Sequence, residues 1–184
     1  MGNIWITSDW HFCHNRDFVY EPRGFNNIYE MNLALVKLYN ECVEPDDDVY
    51  MLGDLMLNND EYGLDLIKEL KGRIHVALGN HDTNNRVKLY KTCDNIVDIQ
   101  LAYKFKYDGY HFFLTHYPCI CSNFDYDKPL RERLISLCGH SHTKDPFSNW
   151  DQGVIYHCEV DAHYCSPILL DDVIQDIKSK YYGN

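Results

Sequence analysis

The chain has 184 residues, of which 45% are hydrophobic and 24% charged, with a formal net charge of −11. That length suits one domain with a real core, and the composition is that of an ordinary soluble globular protein. The acidic balance argues against a protein that grips long nucleic acid through its surface field, although bound divalent metals would create a local cationic site.

The N-terminus has no basic segment or long apolar core, and no run of the chain approaches roughly 18 apolar residues, so neither a secretory signal nor a membrane span is expected. The chain therefore reads as cytoplasmic. Eight cysteines are scattered without paired CxxC knuckles, and in a reducing compartment they read as free thiols. Residues 3–8 form a short strand that runs into Ser8-Asp9-Trp10-His11-Phe12-Cys13-His14. An Asp and a His two apart in an extended or turning segment can face one side and share a metal.

Residues 15–26 read as irregular. From about Asn27 to Cys42, Ile28, Met31, Leu35, Leu38 and Cys42 recur at helical spacing, and Leu33 and Val36 widen the apolar face. The acidic turn Pro45-Asp46-Asp47-Asp48 precedes the strand Val49-Tyr50-Met51-Leu52, which ends in Gly53-Asp54. A helix is expected from about Glu61 to Leu70, closed by Gly72. The apolar run Ile74-His75-Val76-Ala77-Leu78 is a third strand, and Gly79-Asn80-His81-Asp82 follows it. Alone, that tetrapeptide reads equally well as an Asx-rich turn.

After a short helix at 84–91, residues 96–106 and 110–115 read as two strands around Tyr107-Asp108-Gly109, delivering Thr115-His116-Tyr117-Pro118. The loop over 119–129 has no clear period. Leu134 to Cys138 is another strand, ending in Gly139-His140-Ser141-His142. Residues 154–160 and 166–170 are further strand candidates, and 171–180 a closing helix. Strands alternating with helices describe an α/β architecture whose polar loops gather at one end of the sheet. No repeat or linker interrupts it, so one domain over 1–184 is expected.

Five segments thus place candidate ligands after strands: Asp9 and His11, Asp54, Asn80 and His81, His116, and His140 and His142. A mixed N and O set without thiolate suits Mn, Fe, Zn, Co or Ni better than a structural zinc or an all-oxygen Mg or Ca cage. These candidates outnumber the ligands of one tetrahedral site and suit two ions bridged by a carboxylate.

The series Asp9-x-His11, Gly53-Asp54, Gly79-Asn80-His81-Asp82, His116 and Gly139-His140-x-His142 resembles the calcineurin-like metallophosphoesterases, in particular the small bacterial and phage branch. The resemblance implies a four-layer αββα sandwich of two mixed β-sheets flanked by helices. It implies that Asp9, His11 and His142 hold one divalent metal and Asn80, His116 and His140 the other, with Asp54 bridging. Mn²⁺ is the first choice, with Fe, Zn, Ni or Co also compatible. It further implies that His81 contacts phosphate and protonates the leaving oxygen, with Asp82 orienting it.

The implied activity is hydrolysis of a small phosphodiester or phosphomonoester, nucleotide-like substrates being favoured, by attack of a metal-bridging hydroxide. Competing readings are a non-catalytic scaffold with this fold, or a metal-dependent nuclease. Cys13 stands where many members have glycine, and a side chain there could narrow the site or make it oxidation-sensitive. His14, Arg16 and Arg23 are candidate phosphate contacts, arginine because it binds oxyanions in a fork, with solvated arginines as the competing reading. Tyr117, Phe124 and Trp150 could stack on a base. His75, His111, His157 and His163 are expected to play non-ligand roles.

Overall fold

A computed structural model describes residues 2–120, 128–150 and 153–183. Its first strand, β1 (Ile4–Thr7), leads into a polar loop and a short helix α1 (Asp17–Tyr20), in a stretch whose Pro, Gly and charges conceal any helical period. Helix α2 (Ile28–Cys42) begins where the Asn27 side chain accepts from Glu30 N, satisfying one of the first turn's free donors. Its buried face carries Ile28, Met31, Leu35 and Val36, whereas Leu33 points outward at 61% exposure and does not widen it.

Strand β2 (Asp48–Met51) is followed by α3 (Asp60–Lys68), which ends four residues before Gly72. That glycine, at φ +83°, turns the chain into β3 (Arg73–Ala77) rather than capping the helix. Helix α4 (Asn84–Tyr90) precedes β4 (Ile96–Gln100) and β5 (Ala102–Tyr107).

The single strand expected over 96–106 is therefore two. They part at Leu101, which is 77% exposed, because β4 pairs parallel with β3 while β5 opens a different sheet. Local apolar pattern does not encode which sheet a strand joins. Strand β6 (Tyr110–Thr115) pairs with β5 across the expected hairpin, and β7 (Leu134–Cys138) follows. The two-residue β8 (Phe147–Ser148) pairs with β9 (Ile155–His157), which is shorter than the expected 154–160 run. The chain closes with β10 (Ile168–Leu169) and α5 (Leu170–Tyr182).

The first sheet has the order β10-β1-β2-β3-β4 and the second β5-β6-β7-β9-β8, and both are mixed. Alternation sorts the side chains. Val49, Met51, Ile74 and Val76 pack with α2 and α3, while Ile6, Leu52 and Ala77 pack with Phe112, Leu114, Ile135, Leu137 and α5. The result is the expected α/β sandwich of two mixed sheets with flanking helices. Because β1, β2 and β3 are parallel, their C-terminal loops emerge at one end. The parallel pair β6 and β7 does the same for His116 and His140.

Candidate metal centre

The two sets of strand ends are tied across the sheets. His140 N donates to Asp9 Oδ2 at 2.8 Å, and the His116 ring bonds Leu52 O at 2.8 Å. Gly139 allows this approach, since a Cβ there would collide with Ser8 Oγ and Asp9 Oδ2. Gly79 serves likewise: a Cβ would stand 2.8 Å from Asp54 N and 2.9 Å from His116 Nδ1. Gly79 and Gly139 are thus needed for close approach between the loops.

Five of the seven candidate ligands have left-handed backbone: Asp9 (φ 58°), His11 (52°), Asp54 (56°), His140 (75°) and His142 (48°). Such conformations cost on the order of 1 kcal/mol each for non-glycine residues and concentrate at functional sites, where surrounding bonds enforce them. Here Asp9 N donates to Gly53 O and His11 N to Asp54 O, at 3.1 and 3.0 Å.

The side chains converge. Leu52 O can only accept, so His116 Nδ1 carries a proton toward it and Nε2 is the nitrogen turned into the site. That nitrogen faces three acceptor-capable atoms: Asn80 Oδ1 at 2.9 Å, His140 Nδ1 at 3.1 Å and Asp54 Oδ2 at 3.6 Å. Asp54 Oδ2 is also 3.6 Å from His11 Nε2, so it lies between the two histidines. His11 Nε2 stands 3.6 Å from Asp9 Oδ1, and both atoms are buried without a hydrogen-bond partner among the described residues. His142 Nε2 is 3.7 Å from the same Asp9 oxygen. Asp9, His11 and His142 form one group able to hold a cation, and Asp9, Asp54 and His116 a second. Donors bound to one ion by bonds of about 2.0–2.2 Å are separated by roughly 3–3.6 Å, so the residues fit metal.

Electrostatics agree with that fit. Burial pushes the Asp54 carboxyl up, and the Asp82 and Asp9 carboxylates push it further, against the opposing His116 charge and the His81 N–H bond. Burial brings the His11 imidazole down to about 4, against the raising effect of its contact with Asp9. Histidine neutral at physiological pH is histidine free to ligate.

His81 is held through its backbone: its N–H donates to Asp54 Oδ1 at 2.8 Å and its carbonyl accepts from Arg86 at 2.7 Å. Its side chain is 39% exposed, with Nε2 3.8 Å from Asp54 Oδ2. His14 sits beside His11, with 3.3 Å between their Nδ1 atoms, and both line a cavity of about 460 Å³ together with His81 and His142.

Three expectations need correction. Asp82 does not orient the His81 ring. Its oxygens are filled by Asp54 N, Gly79 N, Leu55 N and Tyr90 Oη, so it staples the loops after β2 and β3. Arg23 does not face a phosphate. It forks onto Asp161 at 3.0 and 2.8 Å and donates to Trp10 O and Asp9 O, with its side chain 1% exposed. Cys13 does not narrow the centre, because it lines a different cavity with Asn32, Asn58 and Tyr62. Its backbone lies at φ +65°, which explains why glycine suits the position.

Burial pushes the Cys13 thiol up to about 11, and a protonated thiol is a poor nucleophile. Iodoacetamide at neutral pH should therefore leave Cys13 unmodified in the native protein and label it after unfolding, as read by peptide mapping. Equal labelling in both states would restore the oxidation-sensitive reading. Among the described residues every cysteine is free.

Of the other candidates, Arg16 is exposed. Trp150 packs edge-on against Phe147, whereas Tyr117 stands 5.0 Å from the His140 ring. Phe124 and Cys121 lie outside the described residues. His75 bonds Asp48, His163 bonds His157 O, and His157 links Ser148 to Glu159. Asp161, unnoticed in the sequence, is the partner of His142: its Oδ2 accepts from Nδ1 at 3.0 Å, fixing the ring so that Nε2 points toward Asp9. The signal was present, since Asp161 directly follows the 154–160 strand candidate.

Two mixed sheets with an aspartate–histidine cluster at their adjoining ends define a metal-binding α/β sandwich. The calcineurin-like phosphoesterase model matches residues 2–153, and the chain belongs to that family. It is 30% identical over 187 residues to an uncharacterized protein of Methanocaldococcus jannaschii, covering 97% of this chain and 93% of that one. It is 28% identical over 163 residues to the Gene 66 protein of Mycobacterium phage D29, covering 78% of this chain and 80% of the other. A solved protein of unknown function from Aquifex aeolicus superimposes with a TM-score of 0.67 at 19% identity, covering 95% of this chain and 99% of that chain. No helix among the described residues is long and apolar enough to cross a membrane.

Proposed function

We propose that this one-domain protein is a dimetal phosphoesterase that hydrolyses a small phosphodiester or phosphomonoester, nucleotide-like substrates being favoured. The observation that carries this reading is the convergence on His116 Nε2 of Asn80 Oδ1, His140 Nδ1 and Asp54 Oδ2. A metal ion would meet these electron-pair donors at once, where a single proton can serve only one or two of them. Asp9, His11 and His142 would hold one ion, Asn80, His116 and His140 the other, and Asp54 Oδ2 would serve both. Two divalent ions, Mn²⁺ first, would neutralise phosphate charge and lower the pKa of bound water.

The chain's own residues supply the rest. Leu52 O and Asp161 fix the His116 and His142 rings. Ser8 Oγ and His140 N occupy Asp9 Oδ2, which leaves Oδ1 to the site. His81, half-exposed beside Asp54, would hold a proton at Nε2 for the leaving oxygen. Arg86 and Asp54 hold it there through its backbone, so its ring remains free to meet substrate.

Purified protein loaded with Mn²⁺ is expected to bind two ions per chain and to hydrolyse bis-nitrophenyl phosphate or nitrophenyl phosphate, with activity lost in EDTA. Turnover no higher than in EDTA, or fewer than two tightly bound ions, would transfer the argument to a scaffold role.

A further inference from the structure

The cavity of about 460 Å³ at the centre is larger than a phosphate group needs and lies within the range of small-molecule sites. Beyond its imidazoles, Phe18, Val19 and Pro22 line it, and so does Lys144. The Phe18 ring is 68% exposed and stands edge-on to His14 at 5.7 Å. An exposed aromatic face beside a phosphate-handling site is a stacking platform.

Lys144 differs from the neighbouring cation. Arg23 is consumed by Asp161 and two carbonyls. Lys144 makes no hydrogen bond or ion pair with any described residue, although Asp161 lines the same cavity. It also lines an adjoining cavity of about 330 Å³, which shares Pro22 and Asp161 with the first. In a chain of net charge −11, a cation without a carboxylate partner beside a carboxylate-rich centre is a specificity element: it offers charge to whatever enters.

We propose that Phe18 and Lys144 form a subsite for the organic arm of the substrate, and that the arm is a nucleoside carrying a second anionic group. The base would cover Phe18, and the additional phosphate would meet Lys144. This rests on the phosphoesterase reading above and narrows it to substrates with a charge remote from the reacting phosphorus.

Three esters with one leaving group test it: methyl p-nitrophenyl phosphate, thymidine 5′-(p-nitrophenyl phosphate), and the latter with a 3′-phosphate. The 3′-phosphorylated ester should have a kcat/KM about 5-fold or more above the plain thymidyl ester, the effect of one favourable ion pair. Lys144→Gln should bring that ratio to about 1, Lys144→Arg should keep it, and so should Lys88→Gln on α4. Phe18→Ala should lower the thymidyl-to-methyl ratio about 5-fold, as loss of one stacked base does.

Equal rates for the two thymidyl esters, or a ratio that survives Lys144→Gln, would overturn the subsite while leaving the phosphoesterase intact. If neither the three diesters nor nitrophenyl phosphate is hydrolysed, the phosphoesterase reading has failed. Calorimetric titration with thymidine 3′,5′-bisphosphate against thymidine 5′-monophosphate then decides the subsite alone. A preference for the bisphosphate that disappears in Lys144→Gln supports it, and equal binding overturns it.

Discussion

Replacing His81 with alanine should lower kcat by about 10²–10⁴ while leaving the metal content of the protein unchanged. The ring belongs to neither group of cation-holding donors among the described residues, so its removal takes no ligand away. The loop that carries it is fixed by backbone bonds to Asp54 and Arg86, which alanine preserves. What disappears is a half-exposed imidazole 3.8 Å from Asp54 Oδ2. A proton donor matters most when the departing oxygen is a strong base. The loss should therefore be greater for alkyl esters than for nitrophenyl esters, whose leaving group departs without help. A loss independent of leaving group would make His81 a phosphate binder, and a loss of metal would make it a ligand. Asp82→Asn separates the neighbouring residue's role. It should cost about 1.5–3 kcal/mol of stability, because charge-assisted bonds to the loops after β2 and β3 weaken, and it should leave the leaving-group dependence unchanged.

The contrast between His81 and Asp82 shows what a sequence can carry. A strand that runs into a polar loop bearing Asp, Asn or His announces a candidate ligand loop, and parallel strands bring such loops to one end. For that reason Asp9, His11, Asp54, Asn80, His116, His140 and His142 are legible as a group in the sequence itself. Supporting contacts were not. Adjacency suggested that Asp82 serves His81, yet its carboxylate turns the other way, toward Asp54 N and Tyr90 Oη. Arginine chemistry suggested that Arg23 meets phosphate, yet its fork is filled by a residue 138 positions away. Sheet membership was equally hidden, since nothing in the apolar pattern near Leu101 says that the chain changes sheets there. Asp161 is the intermediate case. It obeys the strand-end rule, but its work is to hold His142, and partners of candidate ligands have no spacing of their own.

That hidden support predicts the second large effect. Arg23→Ala should destabilise the fold by about 3–5 kcal/mol, the cost of leaving one member of a buried ion pair alone. The Arg23 side chain is 1% exposed and Asp161 is 9% exposed, so water cannot replace the lost partner, and Asp9 O and Trp10 O lose their donors too. Arg23→Lys should recover little, since an ammonium cannot fork onto a carboxylate while reaching two carbonyls. Asp161→Asn should destabilise as well, by leaving the Arg23 guanidinium without its carboxylate, and should also weaken metal affinity about 10–100-fold by loosening the His142 ring.

The pair also sets an acid limit. Although burial alone would raise it, the Asp161 carboxyl is held well below the usual carboxylate range by its bonds to His142 and Arg23. A lowered folded-state pKa stabilises fully above the unfolded value of about 3.9, and that contribution is lost as pH falls below it. Denaturant unfolding from neutral pH down to about pH 3 should thus show an acid-side loss in the native protein that is smaller in Asp161→Asn. A cost below about 1 kcal/mol for Arg23→Ala, or identical acid profiles, would mean that the Arg23–Asp161–His142 chain does not brace the centre.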